Sequence, residues 1–253
     1  MVKYLVTVAL AAACAVSARD IIEIRQYQCS SIEKAQKLNT LFDSALIPAL
    51  NRAGFEKVAV LAAPPELNDG KTNWQKSVFV IASTTSFENL ARRDELLATD
   101  KVFMQDAAAL FTAPMKDPLF DSLESSVLQA FVSCPRVVQV NKNPERVLQL
   151  RYYNSYTLER NLKKIAMFED GGEIQVFRSC GMAPVFFGTA VAGGRLPNLT
   201  YLLGFENAAA KEAAWNTFKN HPGWLKLKAD PQYRDTANKI TNIVLVPSKA
   251  SQF

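Results

Sequence analysis

Two arginine–tyrosine pairs stand out as groups able to do chemistry. Arg25 and Tyr27 lie in the stretch IIEIRQYQCS, and Arg151 and Tyr153 lie in VLQLRYYNSY, 126 residues later and in register. Glu23 and Gln149 hold the matching position two residues before each arginine. An arginine can clamp an anion with a planar fork of donors, and a tyrosine can stack on a ligand or donate to it. The same groups could instead form a polar network with Glu23 and Gln149 that fixes strand register, and the sequence leaves both readings open. Trp215, Phe218 and Trp224 follow at helical spacing. They either pack a helical layer onto a sheet or form an aromatic wall around a ligand.

The remaining reactive residue types point to little. His221 is the sole histidine, and NHPGW reads as a turn entering a helix with Pro222 at its first position. A capping role fits it better than a haem ligand or a general base, and it gives no Ser-His-Asp arrangement. Cys29, Cys134 and Cys180 show no CxxC spacing, so at most one disulfide could form among them, and the sequence does not choose the pair. A zinc site of Cys/His type lacks ligands. Cys180 sits at a helix end, which does not activate a thiol. GGRLPN lacks the P-loop pattern and reads as a hairpin loop. Asn198-Leu199-Thr200 is a glycosylation sequon, meaningful only in a eukaryotic host.

The elements that must position these residues repeat. IIEIRQY alternates as a strand; a Ser-capped helical pattern follows, then strands at EKVAVLAA and SVFVIAS, helical stretches, and a strand at SSVLQAFVS. The second half repeats this order, from RVLQLRYY to ITNIVLVP. Each half is thus β-α-β-β-α-β, the ferredoxin-like unit, and the fold class is α+β. The predicted organisation is a first repeat at 19–133, a linker at 134–145, a second repeat at 146–248 and a tail at 249–253. Within IIEIRQY, Ile22 and Ile24 share one face while Glu23, Arg25 and Tyr27 share the other. Leu148 and Leu150 oppose Gln149, Arg151 and Tyr153 in the same way. The aliphatic faces are expected to pack against helices. The polar faces would then meet as the interior of a barrel made by two sheets.

Composition bounds the partners. A net charge of +5 on 253 residues comes from basic residues scattered among acids, as in RRDE, so there is no nucleic-acid footprint. Lys3, an apolar run to Val16 and small residues ending at Ala18 read as a secretory signal peptide, residues 1–18. The chain is therefore expected to be exported, periplasmic or secreted, with no membrane span once the signal is removed.

LRYYNSYTLERNLKKIAMFEDGGEIQVFRSCGMAPVFFGTAVAG, followed by LPNLTYLLGFENAAAKEAAWNTFKNHPGW, closely resembles the second repeat of bacterial NIPSNAP-family proteins. The ending ITNIVLVPSKASQF resembles that family's closing strand, and PLFDSLESSVLQAF in the first half also resembles it. The resemblance implies a dimeric α/β-barrel folded within one chain. It implies no particular reaction. Relatives of the fold include small-molecule monooxygenases, haem-degrading enzymes and chlorite dismutases, and fold alone does not fix function. The expected function is a small-molecule binder using the barrel interior without a cofactor. Its alternatives are a cofactor-free or haem-using monooxygenase or isomerase acting on a small aromatic substrate, and a structural or interaction protein with a filled barrel. Assembly into a homo-oligomer is left open.

Overall fold

The computed structural model describes residues 18–69 and 72–253. The expected signal peptide lies outside the described residues except for Ala18. Eight strands form: β1 (Ile21–Gln28), β2 (Lys57–Ala62), β3 (Ser77–Thr84), β4 (Ser122–Ala130), β5 (Val147–Asn154), β6 (Ala183–Ala192), β7 (Asn198–Phe205) and β8 (Lys239–Pro247). They close into one antiparallel barrel in the order β1-β3-β2-β8-β5-β7-β6-β4. Each half contributes four strands in equivalent order, β4-β1-β3-β2 and β8-β5-β7-β6. Two seams join the halves. β4 pairs with β6 from Val127↔Ala192 to Ala130↔Gly188, and β2 meets β8 only at Leu61↔Pro247 and Ala62↔Val246.

The second seam is extended by side chains and by the tail. Asn68 donates to Val244 O and accepts from Val244 N, as a neighbouring strand would. Ser248 N donates to Val60 O, Gln252 N donates to Val58 O, and Phe253 is buried in the barrel. Residues 249–253 therefore lie back along β2.

Helices cover the outside. The first half carries α1 (Ile32–Leu41), α2 (Ile47–Arg52), α3 (Phe87–Ala91), α4 (Arg93–Thr99), α5 (Lys101–Asp106) and α6 (Ala108–Thr112). The second carries α7 (Leu158–Glu169), α8 (Glu173–Ser179), α9 (Ala208–Asn220) and α10 (Pro222–Ala229). Short polar side chains start the long helices. Ser31, Thr157 and Asn207 accept from the backbone N–H groups of Lys34, Arg160 and Ala210, satisfying donors a helix leaves unpaired. Gly172, at φ +87°, divides α7 from α8, a conformation that favours glycine.

Three apolar layers hold the molecule together. The middle one is the barrel interior, to which every strand contributes: Ile22, Leu61, Phe79, Leu128, Leu150, Phe186, Leu202 and Ile243 are all buried there. The outer two lie between sheet and helices. One is built on Leu38, Phe42, Val60 and Val80, the other on Phe168, Phe177, Phe187 and Tyr201.

This arrangement corrects the expected orientation of the sheets. The aliphatic faces meet inside the barrel, and the faces bearing Glu23, Arg25, Tyr27, Gln149, Arg151 and Tyr153 turn outward beneath the helices. The reason is hydration. The middle of a closed eight-stranded barrel is just wide enough for side chains to fill, and a charge enclosed there has neither water nor a partner. Under the helices, a charged group can meet a helix-borne partner or reach solvent at the layer's rim. The residues expected to line the barrel interior are therefore not there. The middle of the barrel is filled by side chains, and a cavity of about 370 Å³ remains at one end, beside Gln26, Tyr152 and Arg195.

Candidate functional site

Strand β5 presents Gln149, Arg151 and Tyr153 on its outer face, and α9 and α10 bring Trp215 and Trp224 over them. All five, each singled out in the sequence, line one cleft of about 730 Å³ between the second sheet and its helices. At its centre the Arg151 guanidinium lies 4.6 Å from the Trp215 ring centroid and 5.3 Å from that of Tyr153. Such cation–π contacts fix a cation in place without neutralising it. Arg151 has no carboxylate within ion-pair distance among the described residues, and its buried Nε has no hydrogen-bond partner there. Burial works against its charge, but Tyr201, Tyr153 and Glu173 more than offset this and hold its pKa above the ordinary value.

The supporting residues come from four elements. Gln149 Oε1 accepts from the Trp215 indole N–H at 2.5 Å, and Gln149 Nε2 donates to Asn242 Oδ1 on β8 at 2.7 Å. Tyr201, opposite Arg151 in the β5–β7 register, donates its hydroxyl to the Tyr153 hydroxyl at 3.2 Å. Lys164 on α7 pairs with Glu173 on α8 at 3.2 Å and lies over the Tyr153 and Phe168 rings. Burial raises the pKa of Glu173, with Lys164 opposing, and burial likewise raises Tyr153 and Tyr201. The resulting pocket has aromatic walls, an unneutralised cation and a phenol beside it.

The first half treats the equivalent residues differently. Glu23 binds Arg25 Nε at 2.6 Å and Arg93 Nε at 3.2 Å, and Asp94 reaches both arginines. Arg25 and Tyr27 border a smaller cavity of about 230 Å³ walled mainly by apolar groups such as Leu97, Phe103 and Phe111. The structure thus brings together the second-half candidates and places Glu23, Arg25 and Tyr27 elsewhere.

Sequence reasoning does not find Lys164, Glu173, Tyr201 and Asn242. Tyr201 and Asn242 become neighbours of Arg151 only through strand pairing. Lys164 and Glu173 meet only because the chain breaks at Gly171-Gly172. Arg93 and Asp94 belong by sequence to the scattered charges of RRDE, whereas Arg93 is buried.

Other expectations resolve at named atoms. His221 caps α10: its Nδ1 accepts from Gly223 N, and its Nε2 bonds Ser179 Oγ. Cys29, Cys134 and Cys180 are all free and buried. Asn198 is buried in β7 with its amide donating to Gly194 O and Arg195 O, so the folded sequon is inaccessible. No His, Cys, Asp and Glu cluster among the described residues could hold a metal, and no helix there is long and apolar enough to cross a membrane.

Haem would meet only phenol and amine groups as ligands in this cleft. Its lining contains no histidine, cysteine or methionine among the described residues. The sole histidine has both ring nitrogens engaged, and Lys164 is held by Glu173.

A closed barrel of two ferredoxin-like halves, clad in helices, defines the class: a dimeric α/β-barrel within one chain. Residues 148–252 match the NIPSNAP family model. The chain is also similar to a candidate monooxygenase from Fusobacterium nucleatum subsp. nucleatum, with 10% identity, TM-score 0.61, and coverage of 93% of this chain and 95% of that one. A candidate monooxygenase from Lactobacillus acidophilus NCFM gives 10% identity and TM-score 0.60 over 92% and 97% of the two chains. A candidate chlorite dismutase gives 9% identity and TM-score 0.51 over 92% and 96%. At these identities the likeness is one of fold. Comparison with curated proteins gives no match.

Proposed function

We propose that the NIPSNAP half binds a small molecule in the cleft beneath α9 and α10. One observation carries this reading: Arg151 faces a cavity of about 730 Å³ with no carboxylate partner among the described residues and an unsatisfied buried Nε. A buried polar atom left unpaired costs about 1–3 kcal/mol, and a ligand bearing an acceptor would remove that cost. Untargeted mass spectrometry of small molecules that co-purify with the chain tests the reading. A compound retained by the parent protein and lost from Arg151→Met supports it. Identical small-molecule profiles from the two proteins would count against it.

Turnover of the bound molecule is a second reading, and one detail favours it. Tyr153 accepts the Tyr201 O–H, which leaves its own hydroxyl proton free for a bound oxygen atom beside Arg151. A positioned donor and a fixed cation stabilise negative charge developing on a carbonyl or phenol oxygen. The two similar structures described as candidate monooxygenases are consistent with oxygen chemistry on this fold. Under this reading, Arg151→Ala abolishes turnover and leaves the melting temperature nearly unchanged. Export by the leader at residues 1–18 belongs to the same proposal, and N-terminal sequencing of the purified chain would test it.

A further inference from the structure

The two halves provide an internal comparison of one position. Glu23 pairs with Ala82 on β3 and Val127 on β4, and Gln149 pairs with Leu203 on β7 and Val244 on β8. The two residues therefore occupy equivalent places on equivalent strands. In the first half the carboxylate neutralises Arg25 and Arg93. In the second, the amide carries no charge, and both its ends are taken by Trp215 and Asn242. Arg151 is left as a fixed and unneutralised cation.

The rest of the cleft keeps that charge. Its carboxylates Glu173 and Glu212 are held by Lys164 and Lys211. Asp235, Lys219 and Lys228 also line the cleft, and none of these three has an ion pair among the described residues. Counting Arg151, the unpaired groups sum to a positive cleft. The walls are aromatic: Trp224 packs on Phe218 with ring centroids 4.7 Å apart, and Trp215 completes the surface. A positive centre inside aromatic walls selects a flat ring bearing one negative group.

Resting on the small-molecule reading above, we infer that Gln149 determines specificity, its neutrality reserving Arg151 for a small aromatic anion, a carboxylate or a phenolate. Glutamate at this position neutralises the arginine at the equivalent cavity of the first half by binding it internally. Gln149→Glu should do the same in the second half, with almost no change of side-chain volume.

The test is isothermal titration calorimetry of the purified chain with 1-naphthoate, 1-naphtholate at alkaline pH, and the neutral 1-naphthamide. The anions should bind about 10- to 100-fold more tightly than the amide, the range expected of a charge-assisted hydrogen bond. Gln149→Glu, which also loses the donation to Asn242, should erase this preference in a variant that circular dichroism shows to be folded. Gln149→Met, which removes the amide without adding charge, should keep the preference. Tightest binding by naphthoate assigns a carboxylate, and tightest binding by naphtholate assigns a phenolate. Equal binding of anion and amide overturns the inference while leaving the small-molecule reading intact. Loss of preference in Gln149→Met also overturns it, because Gln149 would then act by holding Trp215. Binding of none of the three probes overturns the inference, and the co-purification experiment then judges the broader reading separately.

Discussion

The indole N–H of Trp215 donates to Gln149 Oε1 at 2.5 Å, and the same indole ring carries the Arg151 guanidinium 4.6 Å from its centroid. One side chain thus ties α9 to β5 and fixes the cation. Trp215→Phe keeps an aromatic ring but deletes the donor, stranding Gln149 Oε1 at a cost of about 1–3 kcal/mol. At roughly 2–4 °C per kcal/mol for a chain of this size, the melting temperature should fall by several degrees. Retention of the co-purifying molecule should fall with it. Thermal unfolding followed by circular dichroism reads the first effect, and an unchanged midpoint would show that the indole bond contributes nothing.

Glu23 in the first half is a structural residue. Its carboxylate is shared by Arg25 and Arg93, and both it and Arg93 are almost fully removed from solvent. Breaking a buried pair by neutralising one member leaves an uncompensated charge and costs about 3–5 kcal/mol. Glu23→Gln should therefore lower the melting temperature by roughly 10 °C, with no effect on binding in the second half. Glu124→Gln, at an exposed position on β4, should stay within about 0.5 kcal/mol of the parent. Equal stabilities for the two variants would contradict the buried network.

The duplication and the ferredoxin-like order of each half were legible because both depend on periodicity. The alternation in IIEIRQY and VLQLRYY marks the strands, and the 126-residue offset marks the repeat. Which face turns inward was not legible. Alternation separates Ile22 and Ile24 from Glu23 and Arg25, but it does not say which set meets the other sheet. The helices decide that, through Arg93 and Asp94 on α4, whose partners Glu23 and Arg25 lie far along the chain, and through Lys164 on α7, which lies over Tyr153. The cleft was half legible. Arg151, Tyr153, Gln149, Trp215 and Trp224 could be named from residue type and spacing, whereas Tyr201 and Asn242 needed strand register and Glu173 needed the break at Gly172.

The cysteines give a direct check on burial and on the leader. Cys29, Cys134 and Cys180 are free and buried, and burial raises the Cys29 thiol to about 11. Burial also raises Cys134, with Arg178 opposing. A thiol that stays protonated and covered reacts slowly. Titration of the native protein with a disulfide reagent near neutral pH should label almost nothing. After denaturation three thiols should react if residues 1–18 have been removed, and four if Cys14 remains. Rapid native labelling would contradict the packing of all three sites.

Glu173 supplies a dependence on pH whose sign follows from its surroundings. It is buried at the start of α8, and desolvation raises its pKa despite the ion pair with Lys164. The unfolded chain therefore loses this proton at the ordinary glutamate value, about 4.3, while the folded chain still holds it. Stability from this group is fully present below that value. It declines as pH rises from there through the elevated folded value, because the unfolded state then binds fewer protons. The amide introduced by Glu173→Gln has no such proton, so the parent should lose stability relative to the variant as pH rises through this window. Urea unfolding of both proteins across the window measures the difference. A parent that instead gains on the variant would mean that Lys164 stabilises the carboxylate more than burial opposes it.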